Sequence, residues 1–238
     1  MPTPDDVEAF RMASKNVVAI AKRELIAFWS ALDLSDPAQA RDLLLTFMSD
    51  LNDRYGNVAS AVAADWYEEL RDAAPAKGQY RATATGAVPD AQVQASVRYG
   101  ASSLWTPDAA PTLRHLLGVT DRFVKQAARN TVARSVRGDK GVTYSRVPSG
   151  TDTCAFCLVL ASRGPVYESR ESAKYRADGD KYHNDCDCVP TPSWGGDDLP
   201  EGYDPEGLYQ SYLTAKGKAD SGSTKDILAS IRQLSGSH

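Results

Sequence analysis

Cys154-x-x-Cys157 and Cys186-x-Cys188, with His183 three positions ahead of Cys186, gather every cysteine of the chain and one of its three histidines into one short stretch. A C-x-x-C turn aims two thiolates at one point. Residues two apart in an extended segment project to the same side, so both pairs can approach one ion. Thiolate and imidazole are zinc ligands, and Cys154, Cys157, His183, Cys186 and Cys188 offer five candidates for four tetrahedral places. The spare group would hold a neighbouring ligand. With so many protein ligands no place is left for water, so the expected zinc is structural. A disulfide or a redox C-x-x-C would use the same residues. However, four cysteines in 238 residues are few for a disulfide scaffold, and the stretch lacks the βαβ setting of a thioredoxin-like motif.

Other chemistry is poorly provided for. His115 lies in an amphipathic helical run, His238 is the last residue and His183 belongs to the cysteine group, which leaves no histidine for a Ser-His-Asp or Cys-His arrangement. A zinc deaminase would need H-x-E ahead of P-C-x-x-C, and P-loop, G-x-G-x-x-G and H-E-x-x-H motifs are missing. The expectation is a protein that is not an enzyme. Between residues 121 and 146 seven basic residues stand against Asp121 and Asp139 only. Arg122, Lys125 and Arg129 recur at helical steps, as in a face for polyanion or an acidic partner, or simply a solvated helix face.

The elements that must position these residues are mainly helical. Thr3-Pro4-Asp5-Asp6 reads as a capped start, and a helix to about Leu32 buries a stripe including Val7, Phe10, Val17, Ile20 and Ile26. Asp36-Pro37 starts a second helix, ending before Pro75. Its stripe of Leu44, Met48, Leu51, Tyr55, Val58, Val62, Trp66 and Leu70 suits a helical hairpin or a face for a partner helix. Residues 75–92 read as a connection, and a helical block follows that runs from Pro111 to a stop at Gly138.

At residue 139 the pattern changes. "GVTYSRVPSG" is strand-like, "VLASRGPVYES" resembles two short strands about a Gly-Pro turn, and "SRESAKY" reads as a short helix. The fold class expected is mainly α, with long amphipathic helices followed by a small α+β zinc-stapled C-terminal unit and a tail. The boundaries are 1–138 for the helical domain, 139–195 for the metal-binding unit with little core of its own, and 196–238 for a flexible or docking tail. Weak helices are expected near 208–214 and 225–234.

A hydrophobic content of 42% is enough to fill a core, and a net charge of −4 argues against a surface built as a whole to hold nucleic acid. The first 25 residues lack a basic start, an apolar run and a cleavage site, so a soluble, cytosolic chain without membrane contact is expected.

The stretch "TDTCAFCLVLASRGPVYESRESA…YHNDCDC" resembles the C-terminal signature of the MuF-like minor head proteins of tailed bacteriophages, in the form common among phages of actinobacteria. The matching positions are Asp152, Cys154 and Cys157, then Arg163, Gly164 and Tyr167, then His183, Cys186 and Cys188. Many relatives close with His-Pro-x-Cys-Arg-Cys. Here the proline and the arginine are missing while the ligand atoms remain. The resemblance implies a virion morphogenesis protein, present in a few copies inside the phage head after assembly in the host cytoplasm. It would associate with the portal protein or the major capsid protein and act in head assembly or genome packaging and delivery. The alternatives are a zinc-containing protein that contacts packaged DNA, or a capsid maturation hydrolase.

Overall fold

In the computed structural model, Thr3 caps a helix α1, Pro4–Ala31, by a reciprocal pair of bonds. Its hydroxyl accepts from the Asp6 N–H, and the Asp6 carboxylate accepts from the Thr3 N–H at 2.7 Å. The structure describes residues 2–76, 78–149, 153–166, 186, 188–195 and 199–236. Helix α2, Pro37–Ala73, starts on the Asp36 carboxylate, which accepts from the Ala38 and Gln39 N–H groups. Helix α3, Asp90–Gly100, passes through a 3₁₀ turn, Ala101–Trp105, to α4, Ala110–Gly138. Two helices follow in the tail, α6, Pro205–Lys218, and α7, Thr224–Ser235.

The buried stripe of α1 is Val7, Phe10, Val18, Ala21 and Leu25, whereas Ile20 and Ile26 are exposed. The expected stripe was displaced because this helix carries apolar residues on more than one side, and seven-residue spacing through Val18 and Leu25 decides the contact. On α2, Trp66 and Leu70 are buried in the chain's own core, with Trp66 stacked on Phe10 at 4.3 Å. Val58 is exposed, and the small residues Gly56, Ala59, Ser60 and Ala63 are buried instead.

The connection between α2 and α3 crosses the seam of α2 and α4. Ser60 and Thr131 hydroxyls meet at 2.7 Å, the Thr85 N–H donates to Thr131 Oγ1, and the Gly86 N–H donates to Ser60 Oγ. A Cβ on Gly56 would stand 2.7 Å from Ala87 Cβ, so glycine permits this close approach.

Past residue 139, strand β1, Thr143–Val147, pairs antiparallel with β2, Val189–Ser193, in the register Thr143↔Ser193 to Val147↔Val189. The sequence reading had no strand at "VPTPS". Proline cannot donate to a ladder, and alternate prolines are tolerated on the outer side of an edge strand, which is how Pro190 and Pro192 fit. Part of the expected hairpin is instead helical. Helix α5 spans Ala155–Ala161, and its end is marked by Gly164 at φ +65°, whose N–H donates to the Ala161 carbonyl. The short helix expected at 169–175 lies outside the described residues.

One apolar cluster crosses the expected boundary at 138/139. It joins Phe10, Trp66, Tyr67, Val132 and Val136 to Val142, Tyr144, Val147, Ala161, Val189 and Tyr203. A buried carboxylate reinforces the junction. Asp139 accepts from Arg71 Nε at 2.7 Å, Tyr67 OH at 3.1 Å and Trp194 Nε1 at 3.2 Å. Burial, and then the Asp139 charge, push the Tyr67 hydroxyl far above its ordinary pKa, so it serves as a donor. The second cluster lies around Leu25, Leu44, Met48, Val93, Leu116 and Phe123. Tail helices α6 and α7 pack on α5 through Ala155, Ala215, Ile227 and Ile231.

Candidate metal centre

Cys154 is the N-cap of α5, extended in backbone, and its sulfur accepts from the Cys157 N–H at 3.3 Å. That single turn brings Cys157 to the inner side of the first helical turn. Cys186 and Cys188 lie just before β2, and the pairing of β2 with β1 delivers them opposite α5. All four cysteines are buried and form one cluster.

The sulfurs of Cys157, Cys186 and Cys188 are mutually close. Cys157 to Cys186 is 3.2 Å, Cys186 to Cys188 is 3.3 Å, and Cys157 to Cys188 is 3.7 Å. Among the described residues these three are the group whose ligand atoms could surround one ion. The edge of a tetrahedron with zinc–sulfur bonds of about 2.3 Å is ~3.8 Å, so the Cys157–Cys188 side already fits, and the two sides that meet at Cys186 have to open by about half an ångström to admit zinc. The donor set is all sulfur and fits a thiophilic ion. Cys154 lies against the three, while His183 lies outside the described residues.

Two elements of the fold supply positive charge. Arg146 on β1 is fully buried, and its guanidinium donates to Cys188 Sγ at 2.9 and 3.3 Å, with Cys186 Sγ at 3.8 Å. Arg129 on α4 is also buried and donates from Nη2 to the carbonyls of Cys186 at 2.6 Å and Cys188 at 3.0 Å. Burial alone would push the Cys188 thiol up. Hydrogen bonds from Cys157 and Cys186, with Arg146 and Arg129 nearby, hold it well below the ordinary thiol value. The Cys157 thiol is pushed far up, first by its hydrogen bonds with Cys154, Cys186 and Cys188 and then by burial and the charge on Cys188.

Arg122, Lys125 and Arg129, expected as a face for polyanion or an acidic partner or as a solvated helix face, have different surroundings in the structure. Arg129 points inward to the cysteine backbone. Lys125 is paired with Asp121 at 3.1 Å and donates to the Cys186 carbonyl at 3.4 Å. Arg122 is partly buried against the Phe123 ring, and that burial lowers its pKa. The reason is topological. Helix α4 lies between α1, α2, α3 and β2, so much of its polar side faces protein rather than water. Arg146 was visible in the sequence only as one more charge in a basic run. The one signal for it was its place inside a strand-like segment among Tyr144, Ser145 and Val147, all buried in the structure.

Of the other motif residues, Arg163 and Gly164 form the turn that ends α5, and Asp152 and Tyr167 lie outside the described residues. His115 has its Nε2 3.0 Å from the Ser96 carbonyl and its ring beside Tyr99, a packing role within the helical part.

Residues 1–215 match the VG15 protein family. The chain is similar to the gene 15 protein of Mycobacterium phage D29, with 30% identity over 177 residues, covering 57% of this chain and 63% of that protein. It is also similar to the gene 15 protein of Mycobacterium phage L5, with 27% identity over 146 residues, covering 46% of this chain and 48% of that protein. The chain therefore spans less than two thirds of the length of either relative. No solved structure matches it significantly.

Proposed function

The chain belongs to the VG15 protein family, and from that membership we propose that it is a phage minor head protein, a non-enzymatic assembly factor that binds the portal protein or the inner face of the capsid. The observation that carries this reading is the convergence of the paired cysteines of a MuF-like signature in a chain similar to mycobacteriophage proteins. In this reading the protein meets its partners in the host cytoplasm during head assembly and remains in the head interior. No helix among the described residues is long and apolar enough to cross a membrane.

The metal in this proposal is zinc, held by Cys157, Cys186 and Cys188 with Cys154 or His183 in the fourth place. Bound there, zinc supplies charge and four fixed directions, which tie α5 to the segment entering β2. The chain's own residues line the site: Arg146 donates to the Cys188 sulfur, Arg129 donates to the carbonyls of Cys186 and Cys188, and burial excludes water. The exposed apolar side chains Ile20 and Ile26 on α1 and Leu43 and Val58 on α2 provide surface for a head partner.

The test mixes the purified protein with portal and major capsid subunits, then reads association by size-exclusion chromatography and subunit integrity by mass. The expected result is a stable complex with intact subunits. Association with neither subunit removes the assembly role, and cleaved subunits overturn the non-enzymatic reading.

A further inference from the structure

We infer that Arg146 and Arg129 are positioning residues for the metal centre, setting the Cys186-x-Cys188 pair so that both sulfurs face Cys157 before an ion arrives. The inference rests on the metal reading above and goes beyond it, because it assigns the affinity of the site to two side chains that are not ligands.

The geometry divides the work between them. Arg129 holds the two cysteines by their backbone from α4, because one Nη2 atom donates to both of their carbonyls, at 2.6 and 3.0 Å. Lys125, one turn earlier on the same helix, adds a longer bond of 3.4 Å to the Cys186 carbonyl. Arg146 fixes the sulfurs from the other direction. Its Nε and Nη2 both donate to Cys188 Sγ, and Nη2 reaches toward Cys186 Sγ. Its side chain is among the largest fully buried ones of the chain, and β1 holds it against β2, the strand that Cys188 leads into. A planar guanidinium presents its donors in a fixed fork, whereas a lysine ammonium is a compact charge on a flexible stem and does not fix the angle between its acceptors. Cationic donors aimed at sulfur also stabilise the negative complex that several thiolates form around a divalent ion.

A burial role alone would make any large apolar residue at 146 acceptable. A positioning role requires the donors and the charge. The experiment uses the full chain and titrates Co(II) into metal-free protein, reading the sulfur-to-cobalt charge-transfer absorption. Zinc affinity follows by competition with a chromophoric chelator. Helix content is recorded alongside. Arg146→Met is expected to keep its helices, weaken zinc binding by roughly 10–100-fold and alter the cobalt bands. Arg146→Lys, which keeps the charge but loses the fork, should fall between Met and wild type. Arg129→Gln, which keeps one donor for the carbonyls, should weaken binding by less than Arg146→Met.

Wild-type affinity and an unchanged cobalt spectrum in folded Arg146→Met overturn the inference while leaving the metal site standing. If Arg146→Met does not fold, Arg146→Lys decides: unchanged affinity overturns the inference, and a severalfold loss with intact helices supports it. A folded wild-type protein that takes up neither cobalt nor zinc overturns the metal reading itself, and the inference with it.

Discussion

Replacing Asp139 by alanine tests whether the helices and the β1–β2 unit form one structure. The carboxylate is 5% exposed and accepts from Arg71, Tyr67 and Trp194, which belong to α2 and to the residue just after β2. Removing one partner of a buried ion pair costs about 3–5 kcal/mol, because the remaining charge stays desolvated. Arg71 Nη2 retains the Gly78 carbonyl at 3.1 Å, so the lower end, about 3 kcal/mol, applies. For a chain of this size that corresponds to a fall in Tm of roughly 6–12 °C. Thermal melting followed by far-UV circular dichroism reads the helices, and hydrogen exchange of residues 143–147 and 189–193 reads the sheet. Both should lose stability together and by a similar amount. An unchanged Tm would refute the importance of the network, and a sheet that loosens while the helices keep their Tm would refute the shared core.

Three further outcomes follow from the same structure. Gly56→Val places side-chain atoms where even a Cβ meets Ala87 at 2.7 Å, so it should destabilise the chain by about 1–3 kcal/mol in chemical denaturation, more than the same change at exposed Gly217. Cys157→Ser should abolish tight metal binding and melt, with or without zinc, where chelator-treated wild type melts; a variant that still gains Tm on adding zinc would contradict the ligand assignment. The Glu24 carboxylate is held below its ordinary pKa, first by the Tyr55 hydroxyl at 2.6 Å, against the effect of burial, and then by Arg54. Its contribution is therefore complete above the unfolded value of about 4.3 and is lost as pH falls through the lower folded value. The stability gap between wild type and Glu24→Gln should close on acidification, and a gap that widens would reverse the sign of the argument.

The long helices were legible because their starts are written locally: Thr3-Pro4 with Asp6, and Asp36-Pro37, carry capping chemistry that needs no tertiary context. The meeting of the cysteines was legible for a similar reason, since C-x-x-C and C-x-C spacing fixes where sulfurs can point. What was not legible depends on neighbours distant in sequence. Ile20 and Val18 are equally apolar, and only the position of α2 and α4 decides that Val18 is buried and Ile20 exposed. "CAFCLVLASRG" satisfies strand propensity as well as helix propensity, and the cap at Cys154 with the packing of α6 and α7 selects the helix. Arg129 and Arg146 looked like surface charges because arginine usually is one. Their burial makes sense only once the sulfurs and carbonyls of Cys186 and Cys188 lie beside them.

X-ray absorption at the zinc edge, on the folded protein purified without added metal, tests the central claim most directly. The account predicts close to one zinc per chain with a first shell dominated by sulfur at about 2.3 Å, three or four sulfurs in number. A fully folded chain that carries no metal, or an ion bound mainly through oxygen, would contradict it.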